Sequence, residues 1–118
     1  MDKEKMRAFQ LANKNITRWY VKSRQTLKDK AFARAQAVAA VLKKDFKADQ
    51  VILFGSLAEG AFREGSDIDI FVEGWQGLFW DMYLQAEKAA HPFTVSIVCF
   101  EDAKPSLVQE VKEKGVYL

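Results

Sequence analysis

Apolar residues recur at helical spacing in the first 47 positions of the chain. One series comprises Met6, Phe9, Ile16, Trp19 and Tyr20, and a second comprises Phe32, Ala35, Ala39, Leu42 and Phe46. Steps of three and four place such side chains on one face of a helix. The pattern predicts two amphipathic helices or one bent helix, because residues 23–29 contain no proline or glycine that would force a break.

Three later segments have the character of strands. Residues 51–54 are uniformly apolar, which is typical of a strand that is buried on both faces. Residues 66–72 alternate between polar and apolar, and residues 93–100 form a further, largely apolar run. Between the first two strands, residues 57–65 are rich in glycine and charge, so a loop or a short helical turn is expected there.

Two more helices complete the predicted order. Over residues 75–90 one helical face carries Leu78, Phe79, Met82, Tyr83 and Ala86. Pro105 suits the first position of a last helix, and Gly115 suits its C-terminal cap. The order α-α-β-(turn)-β-α-β-α indicates an α/β or α+β domain with a small mixed sheet of about three to four strands.

Length and composition indicate one soluble domain of 118 residues, with a basic helical segment over 1–47 and a core over 48–118. The longest run without Asp, Glu, Lys or Arg, residues 89–100, is too short to cross a bilayer. Charges follow the first methionine at once, unlike a secretory signal. Cys99 is the single cysteine, which excludes an internal disulfide and a cysteine-rich zinc site. A cytoplasmic protein without membrane contact is expected.

The two segments differ strongly in charge. Residues 1–47 hold 13 Lys or Arg against 4 Asp or Glu, a net charge of +9, whereas residues 48–118 have a net charge of −7. The basic segment is either a solvated helix surface or a contact for nucleic acid, on whose bases Trp19 and Tyr20 could stack. Both aromatic residues also fit the apolar helix face, so direct binding of nucleic acid ranks last.

Two aspartates form a candidate metal site at the start of the second predicted strand. Asp67 and Asp69 are two residues apart, so they share a strand face with Cα atoms about 6.6 Å apart. Two carboxylates on one face repel each other unless a cation lies between them. Magnesium commonly binds one or two carboxylates together with substrate phosphates. The pair therefore predicts a site for Mg²⁺ or Mn²⁺.

Gly55 and Ser56 supply a complementary phosphate site. A glycine lets the backbone approach a phosphate closely, and a serine offers both an N–H and a hydroxyl. The alternative is an ordinary glycine turn followed by a strand with one wet, acidic face. Because the turn ends a buried strand and the aspartates begin the next one, the combination favours a site for a magnesium nucleotide.

These segments resemble the signature of a known family. Phe54-Gly55-Ser56, then Gly60, then residues 65–70 are similar to the motif of the minimal nucleotidyltransferases in the DNA polymerase β-like superfamily. Residues 101–107 and 114–116 are similar to that family's closing helix and last strand. The resemblance implies the polymerase β-like fold and covers about residues 51–118, with the N-terminal helices matching only loosely.

The resemblance also implies a mechanism. Gly55, Ser56 and Ser66 would bind the nucleotide and its β- and γ-phosphates. Asp67 and Asp69 would be catalytic and would bind Mg²⁺ bridging the α-phosphate of ATP or another nucleoside triphosphate. A third carboxylate on the next strand normally completes a two-metal site in this family.

The sequence departs from the family pattern at that third position. Ser96 occupies it, and a serine hydroxyl is a poor metal ligand and a poor base. Glu101 and Asp102 are the nearest acidic candidates, but they are about 17–20 Å farther along an extended strand. The arginine that often follows the Gly-Ser pair is also absent. Arg63 could reach a phosphate instead, or it is simply a solvated side chain.

Minimal nucleotidyltransferases typically pair with a helical HEPN-type protein, as the antitoxin of a ribonuclease toxin. The resemblance thus implies transfer of AMP from Mg-ATP to a hydroxyl of that partner. The alternative is a weak or inactive nucleotide-binding antitoxin that masks its partner, because Ser96 replaces the third carboxylate. An accessory nucleic-acid-binding protein is a more remote alternative. Assembly into a homo-oligomer is compatible with each of these functions.

Overall fold

The computed structural model describes residues 25–118, and it begins with a helix, α1, over residues 25–45. The buried face of α1 carries Ala31, Ala35, Val38, Ala39 and Leu42, and Phe46 continues it just beyond the helix. This spacing confirms the predicted second helix, although Phe32 only packs partly buried against the core. The helix predicted from residues 2–24 lies outside the described residues.

Four strands form one mixed sheet. They are β1 (Gln50–Phe54), β2 (Ile68–Glu73), β3 (Val95–Cys99) and β4 (Val116–Tyr117). Their order across the sheet is β3-β2-β1-β4. β1 is antiparallel to both of its neighbours, whereas β2 and β3 are parallel. The mixed sheet predicted from the sequence is therefore confirmed.

Helices connect the strands. A short helix α2 (Gly55–Glu59) follows β1 directly, so the predicted short helical turn forms at the beginning of that segment. Helix α3 (Phe79–Ala90) crosses from β2 to β3, and a 3₁₀ turn (Phe100–Asp102) precedes helix α4 (Pro105–Lys114). Pro105 begins α4 and Gly115 caps it, as predicted.

Three predicted boundaries were wrong. The helix expected from residue 75 begins at Phe79, because Gly74 and Gly77 adopt positive φ values of 74° and 108° that a helix does not allow. Leu78 consequently precedes α3 and is 70% exposed. β2 begins at Ile68, so Asp67 lies just before the strand. β3 spans only Val95–Cys99, because a turn precedes it and the 3₁₀ turn follows.

Helices cover the two faces of the sheet unequally. The larger core joins α1 and α3 to the face that includes Val51, Leu53 and Ile70. On the opposite face a smaller cluster joins Ile52 and Phe71 to Val111 of α4. Asp69 is two residues before Phe71 on β2, so its side chain belongs to the α4 face. Within residues 25–118, no helix combines the length and the apolar character needed to span a membrane.

Gly115 has a packing function at the junction of α4 and β4. Its φ is −75°, so the glycine is not required by a left-handed conformation. Instead, a Cβ at this position would overlap the Ile52 side chain and the Val111 carbonyl. A glycine here allows α4 to lie directly on β1, which brings the end of α4 next to the end of β1.

Candidate functional site

The strand register brings three of the predicted positions into one row across the sheet. Phe54, the last residue of β1, pairs with Asp69 on β2. Asp69 in turn pairs with Ser96 on β3. Paired residues on neighbouring strands place their side chains on the same face, about 5 Å apart. Ser96 is therefore the direct neighbour of Asp69, with the Gly-Ser turn at the other end of the row.

Gly55 touches the Asp69 carboxylate. Its φ of +73° lies in the left-handed region that favours glycine. A Cβ at this position would overlap Asp69 Oδ2 and lie 3.0 Å from Asp69 Cγ. Any larger residue would push the carboxylate away, so glycine at residue 55 makes the approach of the turn to Asp69 possible. Ser56 follows within the first turn of α2 and is half-buried.

The site disfavours its own negative charge. Burial, and secondly the nearby charge of Asp67, raise the pKa of Asp69 above its ordinary value of 3.8. Both causes oppose ionisation, because burial removes water from the carboxylate and Asp67 adds like-charge repulsion. A cation between the two carboxylates would relieve both.

Thr94 orients Asp67, and the sequence patterns did not identify it. The Thr94 hydroxyl donates a hydrogen bond to Asp67 Oδ1. The backbone joins the same segments, since the Ile68 N–H donates a hydrogen bond of 2.9 Å to the Thr94 carbonyl. One oxygen of Asp67 is thus held by Thr94. The sequence signal for this contact is weak, because it depends on the register of two parallel strands.

Phe62 anchors the loop between the turn and the aspartates, and it was also not singled out from the sequence. Its side chain is 1% exposed and meets the Phe93 ring edge-to-face, with centroids 5.7 Å apart. The signal that could have revealed it is a lone aromatic residue in a segment that is otherwise small, charged or glycine. Its burial fixes the loop that leads to Asp67.

Ser66 and Arg63 close a turn in that loop. The Arg63 N–H donates to Ser66 Oγ at 3.0 Å, and the Ser66 N–H donates to the Arg63 carbonyl at 3.0 Å. The Arg63 side chain is exposed. The Ser66 hydroxyl thus has a structural partner, and binding of phosphate by either residue stays a prediction.

Glu101 and Asp102 lie at the opposite end of β3 from the aspartate pair. Both belong to the 3₁₀ turn after Cys99, whose partner on β2 is Val72 rather than Asp69. Glu101 accepts a hydrogen bond of 3.0 Å from the indole N–H of Trp75. The structure therefore does not bring either residue to Asp67 and Asp69, and Ser96 has the position beside them.

This face of the sheet also has a cavity, and its carboxylates provide oxygen ligands for a metal ion. A cavity of about 200 Å³ lies against Gly55, between Phe54 and residues Leu107 and Val111 of α4. Among the described residues, no three His, Cys, Asp or Glu side chains gather closely enough to hold a metal ion by themselves. Two carboxylates with hard oxygen donors do fit one magnesium ion whose other ligands are phosphate and water.

Comparisons with known proteins agree with this architecture. The family model described as Polymerase beta, Nucleotidyltransferase matches residues 36–118. A solved structure of a putative minimal nucleotidyltransferase is 28% identical, with a TM-score of 0.65, covering 77% of this chain and 95% of that one. A crystal structure of a toxin–antitoxin with AMP-PNP is 28% identical, with a TM-score of 0.57, covering 68% of each chain. No curated protein sequence matched significantly.

Proposed function

Because the chain belongs to the polymerase β nucleotidyltransferase family, we propose that it transfers AMP from Mg-ATP to a hydroxyl of a protein partner, as the antitoxin of a HEPN-type toxin. The observation that carries this proposal is the contact between Gly55 and the Asp69 carboxylate. It joins a turn suited to phosphate and a carboxylate suited to a metal in one place. The likeness to a toxin–antitoxin structure with AMP-PNP supports both the nucleotide and the protein partner.

Each residue has a distinct task in this proposal. Gly55 and Ser56 bind the β- and γ-phosphates through their backbone and hydroxyl groups. Asp67 and Asp69 would hold one Mg²⁺, which would neutralise charge that develops on the phosphates. The partner's hydroxyl oxygen forms a bond to the α-phosphorus, the bond to the bridging oxygen breaks, and pyrophosphate departs with that electron pair. The hydroxyl proton passes to solvent, because Ser96 is not a base.

Labelled ATP tests the reaction. The full chain is incubated with Mg²⁺, ATP and a HEPN-type protein as the partner, with label on either the α- or the γ-phosphate. Nucleotidyl transfer predicts that the partner retains α-label and no γ-label, and that Asp69→Asn abolishes the transfer. Retention of γ-label would indicate phosphoryl transfer and would contradict the proposal.

A second function is favoured by the position of Ser96 beside Asp69. With two carboxylates in place of three, the protein would bind the nucleotide and mask its partner without efficient transfer. In that case Asp69→Asn would neutralise the partner as well as the wild type does, and no label would be transferred by either protein. Loss of neutralisation in the same variant would exclude masking as the sole activity.

A further inference from the structure

The cavity beside Gly55 lies at the phosphate end of the site. The strand order places β1 between β2, which carries Asp69, and β4. Gly115, which precedes β4, and the last two turns of α4 form the other side of the cavity. It therefore lies on the side of Gly55 away from Ser96. Leu107 and Val111 belong to the cluster on the face that Asp69 shares, so the cavity is on the same face as the carboxylates.

A basic side chain lines this cavity. Lys114 is the only basic side chain among the described residues that line it, and Glu59 and Glu110 line it too. The ammonium of Lys114 is 3.9 Å from Glu110 Oε1, in a pair whose side chains are 65% and 57% exposed. Such an exposed pair contributes little free energy, so the lysine can exchange one anionic partner for another at small cost.

A positively charged side chain beside the cavity would stabilise a bound nucleotide. Mg-ATP remains anionic after one divalent ion is bound, and Asp67 and Asp69 add two more negative charges. In the proposed function the terminal phosphates bind at the Gly55-Ser56 turn, and Gly55 also lines this cavity. A lysine is a compact point charge on a flexible stem and is suited to terminal phosphates.

We propose that Lys114 is a nucleotide-binding residue that contacts the terminal phosphates of the nucleoside triphosphate from the α4 cavity. This inference rests on the proposed function. In the free protein Lys114 pairs with Glu110, and on binding the phosphates replace that carboxylate. The same contact neutralises the pyrophosphate that leaves, so Lys114 acts on the leaving-group side of the reaction, whereas Asp67 and Asp69 would hold the metal ion.

Calorimetric titration of the full chain with Mg-ATP, and separately with AMP, tests the assignment. Lys114→Gln should weaken Mg-ATP binding about 3- to 10-fold and leave AMP binding unchanged, because AMP lacks the terminal phosphates. Lys114→Arg should restore most of the Mg-ATP affinity. Lys104→Gln, an equal charge change at the other end of α4, is the matched control and should match the wild type.

The other outcomes would overturn either the assignment of Lys114 alone or the proposed function as well. Unchanged Mg-ATP affinity in Lys114→Gln, or an equal loss for Mg-ATP and AMP, would overturn the assignment of Lys114 and leave the proposed function standing. An equal loss in Lys104→Gln would show a general effect of net charge and would also overturn it. Wild-type protein that binds no Mg-ATP at all would overturn the proposed function, and the inference with it.

Discussion

At Asp69 the proposed binding of metal and the stability of the metal-free fold make opposite demands on the charge of the carboxyl group. Its pKa is raised by burial and by Asp67, so the ionised form is less stable in the fold than in the unfolded chain. A carboxyl with a raised pKa stabilises the fold below its ordinary value of 3.8, and this contribution is lost as the pH rises through the folded-state pKa. At pH 7 the ionised carboxylate therefore destabilises the metal-free protein.

Asp69→Asn should make the metal-free protein more stable at pH 7. The gain should be no more than about 1 kcal/mol, because water screens a carboxylate that is partly exposed. At pH 3, where Asp69 is protonated and neutral like the asparagine that replaces it, the difference should nearly vanish. Thermal unfolding at the two pH values measures this, and a variant less stable than the wild type at pH 7 would contradict it.

Magnesium provides the control for the same substitution. If Asp67 and Asp69 share the ion, Mg²⁺ should raise the melting temperature of the wild type at pH 7 and have little effect on Asp69→Asn. Equal stabilisation of both proteins would place the ion elsewhere.

Thr94 should set the affinity of the site for metal through its hydrogen bond to Asp67. Thr94→Val keeps the shape of the side chain and removes the donor, so Asp67 loses its fixed orientation. Loss of a partner that orients a metal ligand typically weakens metal binding about 10- to 100-fold. Manganese titration followed by electron paramagnetic resonance measures this directly, and Thr94→Ser, which retains the hydroxyl, should bind Mn²⁺ like the wild type.

Residues of the site differ in how far the sequence reveals them. Gly55, Ser56, Asp67 and Asp69 were predicted from short spacings along the chain, and their binding of phosphate and metal stays a prediction. The hydrogen bond from Thr94 depends on which residue of β3 lies beside β2, and no local pattern determines that register. Side chains that orient the site are therefore harder to predict than those that form it.

At the scale of elements, Phe46 joins the end of helix α1 to the segment that precedes α3. Phe46 is 9% exposed and packs against Gly77, where a Cβ would lie 3.2 Å from the phenyl ring. Phe46→Ala should cost about 3–5 kcal/mol, the usual loss for a buried phenylalanine. Phe32→Ala, within helix α1, is the matched control and should cost clearly less, because Phe32 is only partly buried. Urea unfolding of both variants distinguishes these outcomes, and equal losses would contradict the burial pattern.

Element boundaries were predicted best where backbone chemistry marks them. Pro105 and Gly115 identified both ends of α4 correctly. The start of α3 was misplaced by four residues, because Trp75 and Leu78 continue the apolar spacing although the chain is not helical there. Gly74 and Gly77 were the better signal, since their positive φ values exclude a helix.

For the whole molecule, Ser96→Asp would add a carboxylate to residues 48–118, which already have a net charge of −7. Ser96→Asp places a new charge directly beside Asp69, and like charges on paired strands destabilise a sheet by about 1 kcal/mol or less. Without metal the variant should unfold at a lower temperature than the wild type, and magnesium should reverse the order.

Activity adds a second measurement for Ser96→Asp. The third carboxylate should raise the rate of nucleotide transfer or the affinity for a second metal ion. Brisk transfer by the wild type, with Ser96→Asp neutral or harmful in the presence of metal, would mean that another group completes the site.

The antiparallel pairing of β1 with β4 has a consequence during synthesis on the ribosome. Leu53 pairs with Val116, and the Leu118 N–H donates to the Val51 carbonyl. At about 5–20 residues per second, roughly 3–13 seconds separate translation of these partners. Throughout that interval one edge of an apolar strand has no partner, and such edges recruit other chains. During this period a chaperone, or another nascent chain on the same messenger RNA, can pair with the edge of β1 that β4 later occupies.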